Sequence, residues 1–495
     1  MRRVPMRLPV PHPFALCLLL AGYLAQPTMP TALAETGRLW VGAETVDITP
    51  DRPVALSGQR HVRISRQPET PISATALAIE TRVGDRVIEQ AVSVSCDLVA
   101  IRDGILERVR EKVADRIPDL DVSKLFLAAT HTHTAPVMVE GRYSLPSEGI
   151  MQPSEYAHWM TDRVADVVAA AWEKRAPGRV GWGQGQAVVA RNRRVLFADG
   201  TAVMYGKTDR PEFRGLESQE DHDLDVLFFW DADDRLIATA INLPCPAQEV
   251  GGRSSINADF WHPVRERLRE RYGADLRVVA WTGAAGDVTS RLMLNQAADR
   301  RMLAIRGLTR MEEIARRIVQ GWEEAHEVAR QDQRDEIDFR HLVAEVALPT
   351  RRLTAEEADA ARREAAKYAD DPAQTWNYRW NRRVVDRYER QQAGTEESYT
   401  IEMHALRLGD VAIATNPFEL FTDYGMQIKA RSPAVQTMVI QLAGPGSYLP
   451  TRRAVEGGGY SAVPQSTPVG PAGGQVLVDQ TVEAFRSLWT EKPND

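Results

Sequence analysis

The sequence predicts an α/β protein: a mixed, partly parallel sheet flanked by helices, with a helical-hairpin insertion. Three observations predict it. Apolar runs at residues 87–96 and 124–129 bracket an amphipathic segment, and strand, helix, strand is a parallel βαβ unit. The stretches 227–242 and 403–415 each turn back on themselves about a short polar turn, DADD or Gly409-Asp410, and read as antiparallel hairpins. A charged stretch, 354–393, opens with Thr354 and Glu357 as a capping box and carries Trp376, Tyr378, Trp380 and Tyr388, so it reads as an inserted helical hairpin packed on the main domain.

The chain opens with Arg2, Arg3 and Arg7, continues through an apolar segment from Phe14 to Leu24 and reaches TALA before Glu35. That order is a secretory signal with cleavage expected after Ala34, and it is too short to span a bilayer. Cys17 follows Leu16, where a lipoprotein signal needs a small residue, so export without a lipid anchor is expected. Strands follow at 39–48 and 74–81, then the βαβ unit, whose helix places Ile105, Val109, Val113 and Ile117 four apart and stops at Pro118. A second helix spans 154–174, with Tyr156, Met160, Val164 and Val168 on one stripe. After the first hairpin, a helix begins near Asn257 and the strand LRVVAW leads into the loop TGAAGDVTS. Residues 297–330 read as helical, and 475–489 as a closing helix. Residues 35–495 thus form one large domain with an insertion at about 354–394.

Loss of residues 1–34 removes three arginines and no acid, so the formal charge moves from −7 to −10. A mildly acidic surface argues against nucleic acid and against an electrostatic grip on anionic membranes. Cys96 and Cys245 alone remain, enough for one disulfide but not for a disulfide scaffold. Oligomeric state is not legible.

The candidate chemistry gathers at strand ends. In KLFLAATHTHTAPV, His131 and His133 sit two apart, a spacing that on a strand sends both imidazoles to one face, where they can converge on a metal ion. Cys245 follows a strand in INLPCPAQEV and offers a soft ligand, or else a small buried residue. In WTGAAGDVTSR, Gly283 and Gly286 can turn backbone amides toward a substrate oxygen, with Thr289 or Ser290 supplying a hydroxyl; the same loop also reads as a plain strand-to-helix turn. It lacks the lysine of a phosphate-binding loop. Asn416, Pro417 and Glu419 read as an ordinary helix start, and Tyr448, in GPGSYLPTRR, as a packing residue.

Taken together and in order, VGAETVDITP, FLAATHTHTAPV, AINLPCPAQ, INADFWHPVRERL, GAAGDVTSR, NPFELFTDYG and YLPTRRAVEGGGY resemble the neutral (non-lysosomal) ceramidase family, from about residue 40 to residue 489. No room remains for that family's C-terminal immunoglobulin-like domain. The resemblance implies a zinc (Zn2+) amidase acting on ceramide or a ceramide-like acylated amine. Position by position it implies His131, Glu419 and Tyr448 as zinc ligands, with Tyr448 also catalytic. It places His133 beside the substrate and Arg193, in ARNRRV, holding it. Two departures stand out. Cys245 occupies the place of a ligand histidine, and Gly286-Asp287-Val288-Thr289-Ser290 replaces the family's G-D-x-S-P-N, so Thr289 or Ser290 takes the serine's part and Gly286 and Asp287 lie at the substrate. An esterase acting on another acylated substrate, or a binding protein that kept the fold, is the alternative.

Overall fold

The computed structural model describes residues 35–490; the expected signal segment, 1–34, lies outside the described residues. A 12-stranded sheet organises the chain. Its strands are β1 (Thr36–Asp47), β2 (Ser73–Val83), β3 (Arg86–Cys96), β4 (Leu125–Ala129), β5 (Ala176–Gln186), β6 (Asp223–Asp231), β7 (Leu236–Leu243), β8 (Arg277–Thr282), β9 (Glu336–Leu348), β10 (Tyr399–Leu408), β11 (Val411–Thr415) and β12 (Gln436–Ile440). The order is β8-β7-β6-β5-β1-β9-β10-β11-β12, and β2, β3 and β4 branch from β1. Three neighbouring pairs are parallel: β3 with β4, β7 with β8, and β11 with β12.

The sheet bends around one central core, and the period-two rule explains how. Leu77 and Ile79 of β2, Phe126 of β4, Leu227 and Phe229 of β6, Val279 and Trp281 of β8, and Ile413 of β11 all point inward to a shared cluster. The alternate residues of the same strands face outward and are covered by helices. Val92, Val94, Leu125 and Leu127 lie under α1 (Ile105–Ala114) and α2 (Pro153–Glu173). Val226, Phe228 and Val278 lie under α3 (Trp261–Tyr272) and α5 (Arg310–Ala329), the latter preceded by α4 (Gln296–Arg306). The insertion supplies α6 (Ala355–Ala366) and α7 (Thr375–Ala393). Ala412 and Ala414 lie under α8 (Thr422–Arg431) and α10 (Pro471–Trp489), with the short α9 (Arg452–Gly457) between those two in the chain. Burial on both faces is why runs such as LFLAA are almost continuously apolar.

Several expectations are adjusted. The helix expected over 297–330 is two helices: Gly307 takes a left-handed φ of 65° and ends α4, and Thr309 with Glu312 forms the capping box of α5. The helix expected near Asn257 begins at Trp261, because the Asn257 side chain accepts from the Asp259 amide and Asp259 itself is left-handed. Strand β5 shows no apolar alternation because glycine fills its outer face. A Cβ on Gly183 would stand 2.4 Å from the Ala325 carbonyl oxygen, and one on Gly185 1.9 Å from that of Gly321, so α5 lies directly on the strand backbone. Cys96 and Cys245 are both free and buried, in different clusters.

The buried carboxylate of Glu313 on α5 is bracketed by Arg306, Arg316 and Arg317. Its hydrogen bond with Arg316 is the first cause of a pKa held down from the ordinary 4.5 to about 2. A carboxylate depressed in the folded state stabilises above its unfolded pKa and loses that contribution as pH falls toward the folded value. The stability gap between wild type and Glu313→Gln is therefore expected to be full at pH 6 and to shrink steadily below pH 4.5. Urea titrations across that range measure it, and a gap that widens on acidification would contradict the assignment.

Candidate active site

All three parallel pairs end at the same edge of the molecule, and the loops leaving them carry the polar residues. Ligands of α/β proteins gather outside such carboxyl ends. The loop after β4 holds His131 and His133, and the loop after β7 holds Cys245 and Gln248. That after β8 holds Gly286, Asp287 and Thr289, and those after β11 and β12 hold Glu419 and Tyr448.

His131 does not sit on the strand face. β4 ends at Ala129, and His131 adopts a left-handed backbone, φ 67°, rare for a residue with a side chain. The bend still brings the His131 and His133 rings together, edge to face with centroids 4.9 Å apart. The His131 Nδ1–H donates to the Val99 carbonyl at 2.6 Å, since that partner can only accept. In a neutral ring this leaves a lone pair on Nε2, which faces Glu419 Oε2 at 3.2 Å. Two acceptors hold such a position when a positive charge lies between them, either an imidazolium proton or a metal ion.

Glu419 reaches this place through a two-residue parallel strand, Glu419–Leu420 against Tyr448–Leu449, which makes Glu419 and Tyr448 direct neighbours. It is not a helix start: α8 begins only at Thr422, and the Asn416 side chain accepts from the Phe418 amide. Burial would raise the Glu419 carboxyl, but His131, Arg193 and the Tyr448 hydroxyl outweigh it and hold it below its ordinary range. The Tyr448 phenol moves the other way, well above its ordinary value, from burial and the Glu419 charge. Burial, followed by the charges of His131, Arg193, Arg63 and Arg142, pushes His133 well below its ordinary value, so that ring is neutral.

Arg193, 3% exposed, donates to Tyr448 Oη at 3.1 Å and to the Gly286 carbonyl at 2.8 Å. Tyr205 lies 3.4 Å from the same guanidinium and donates to Thr289 Oγ1 at 3.3 Å. Thr289 therefore belongs to the Arg193 network, whereas Ser290 turns away and donates to Glu249 at 2.9 Å. Gly286 and Asp287 are structural. The Gly286 amide donates to the Leu420 carbonyl at 2.7 Å, and a Cβ there would stand 2.2 Å from the Glu419 carbonyl oxygen. Asp287 accepts from the Thr422 amide and hydroxyl and from Asn192. The Gly286 amide is thus committed within the protein rather than turned to a substrate oxygen.

Cys245 is not brought to the group. Its thiol is fully buried in the cluster under α3 and α5, with the Pro246 carbonyl 3.8 Å away. Burial, then the charges of Asp259 and Glu249, push the thiol up, which disfavours the thiolate a metal needs. Among the described residues no three histidine, cysteine, aspartate or glutamate side chains gather as a metal site. The third polar group beside His131 and Glu419 is the Tyr448 phenol. An imidazole nitrogen whose other nitrogen is fixed by a carbonyl, a carboxylate and a phenol together suit a divalent cation that prefers nitrogen and oxygen.

The sequence reading missed Gln248, whose side chain meets His133 Nε2 at 2.9 Å, and Tyr205. Gln248 lies three residues after Cys245, in the same loop after β7. Residues Arg102 and Arg142, which bound the cavity above Glu419, carried no local signal.

No family model matches the chain, and no curated protein matches it. Among solved structures, neutral ceramidase from Pseudomonas aeruginosa matches with a TM-score of 0.63 and 17% identity, covering 93% of this chain and 76% of that one. A ceramidase complexed with C2 matches with a TM-score of 0.64 and 17% identity, covering 93% and 77%. The chain has the neutral ceramidase fold.

Proposed function

We propose that the chain is an exported, zinc-dependent hydrolase of the neutral ceramidase type, cleaving the N-acyl bond of ceramide or another acylated amine. The observation that carries the reading is the His131 Nε2 and Glu419 Oε2 pair, acceptor facing acceptor at 3.2 Å with Nδ1 already committed. His131, Glu419 and Tyr448 would hold the ion. A bound zinc supplies Lewis-acid polarisation of the acyl carbonyl and brings the pKa of a water to roughly 7.

The remaining steps belong to side chains of this chain. His133 would act as the proton carrier between the attacking water and the leaving amine, with its ring held at Nε2 by the Gln248 side chain. Arg193 holds the Tyr448 hydroxyl in place, and Tyr205 and Thr289 hold Arg193; these are positioning residues. Export rests on the basic, apolar, A-x-A order of residues 1–34.

The test is hydrolysis of matched acyl amides and acyl esters before and after chelation, then with zinc restored. The expected result is amide cleavage that is lost on chelation and recovered with zinc. Amide cleavage indifferent to chelation overturns zinc dependence, and esters cleaved at higher kcat/KM than matched amides move the substrate to acyl esters. Zinc bound without turnover of either class makes the chain a binding protein.

A further inference from the structure

The cavity above Glu419 and Tyr448 has a volume of about 690 Å³, within the ordinary range for a small-molecule site. Its walls come from the loops after β3 and β4 and from α7 of the insertion, and they are rich in arginine: Arg102, Arg142, Arg379, Arg383 and Arg387. Each donates at most to neutral oxygen. Arg102 donates to the Pro445 carbonyl, Arg142 to the Tyr143 hydroxyl at 3.4 Å, Arg379 to Gly141 and Arg387 to Pro464. Among the described residues none of the five has a carboxylate at ion-pair distance. Arg387 and Arg193 are 7% and 3% exposed, yet their Nε atoms have no hydrogen-bond partner.

Elsewhere in the chain Arg194 is matched by Glu217, Arg265 by Asp97 and Arg340 by Asp338. Buried Arg63, by contrast, donates only to the backbone carbonyls of Ser57, His133, Gly251 and Arg253, so guanidinium groups without a carboxylate partner are not confined to this cavity. Of its acids, Glu396 pairs with Arg390, Asp386 with Arg382, and Glu140 accepts from the Ser154 amide. Glu419 and the exposed Asp103 act on Arg102 through their charges, but neither forms an ion pair with it. Burial, then the Arg142 charge, lowers Arg102 to about 10 against the opposing charges of Glu419 and Asp103. A desolvated cation without a counter-charge costs several kcal/mol, and such costs persist where a ligand offsets them.

We propose that this cavity binds an acylated substrate bearing an anionic group, a carboxylate or a phosphate, clasped by Arg102 and Arg142 beside Glu419. The proposal deepens the hydrolase reading and rests on it for the reaction only. A neutral two-chain lipid would offer these half-buried guanidinium groups no counter-charge, whereas an anion can accept from both.

The test compares N-hexanoylglycine, its methyl ester and N-hexanoylphosphoethanolamine by titration calorimetry, or by KM where a compound is turned over. Wild type is expected to prefer at least one anion over the methyl ester by more than about tenfold. In Arg142→Gln the ratio is expected to collapse toward one, with partial recovery in Arg142→Lys; Arg102→Gln serves as the second variant. Equal or tighter binding of the methyl ester, no binding of any probe, or a ratio unchanged in both glutamine variants overturns the proposal. Anion preference without release of the amine contradicts the hydrolase reading alone, and release without preference contradicts the anion proposal alone.

Discussion

Hydrolysis of the best acyl amide is expected to fall by about 10³-fold or more in kcat/KM in His131→Ala, a loss of about 4 kcal/mol of transition-state stabilisation. The imidazole is the only nitrogen donor among the three proposed ligands, and its removal leaves the Glu419 carboxylate buried without its opposite number. Backbone strain needs separate treatment, because residue 131 is left-handed. Asparagine tolerates that conformation better than alanine, so His131→Asn tests the donor with the loop intact. Both variants are expected to lose bound zinc, measured by mass spectrometry of the purified protein, with unfolding midpoints as the check on folding. Hydrolysis by either variant at the wild-type rate would overturn the mechanism.

The second large effect is on stability. Asp97, at the end of β3 and fully buried, forms a two-pronged pair with Arg265 of α3 at 2.7 and 3.0 Å. It also accepts from the amide and hydroxyl of Ser73, and from the hydroxyl of Thr130, the residue before His131. Asp97→Ala strands a buried guanidinium and frees the loop that carries the histidines, so a loss of about 3–5 kcal/mol is expected in urea unfolding. The double variant Asp97→Ala/Arg265→Met removes the orphaned charge and is expected to recover part of that loss. A single-variant cost below about 1 kcal/mol would show that the pair contributes only as much as a surface one.

The layout of the sheet was legible where short apolar runs are bounded by turns or a helix, as in β2, β3, β4 and the β6–β7 and β10–β11 hairpins. It was not legible in β5, where glycine on one face hides the period, nor in β9, whose EIDFRHLVAEVAL mixes charge into both faces. The site was legible only in part. The family resemblance implied His131, Glu419 and Tyr448, yet nothing local shows that a parallel bridge sets Glu419 beside Tyr448. Cys245 illustrates the limit of matching positions. A replacement at an equivalent place in the chain says nothing about which way the new side chain turns, and here the apolar cluster beneath α3 took it.

The insertion leaves the sheet at Leu348 and returns at Tyr399, and these two residues face each other across β9 and β10. The whole helical pair is thus an enlarged hairpin loop whose ends are already joined. It meets the rest of the protein through a stack in which Arg60 lies over Trp376, Trp380 and Tyr460. Because closing a longer loop between fixed ends costs little extra, the roof of the cavity can be lengthened, shortened or exchanged without moving a single strand. Evolution, or a protein engineer, can revise what enters the cavity while the proposed metal-binding floor stays as it is.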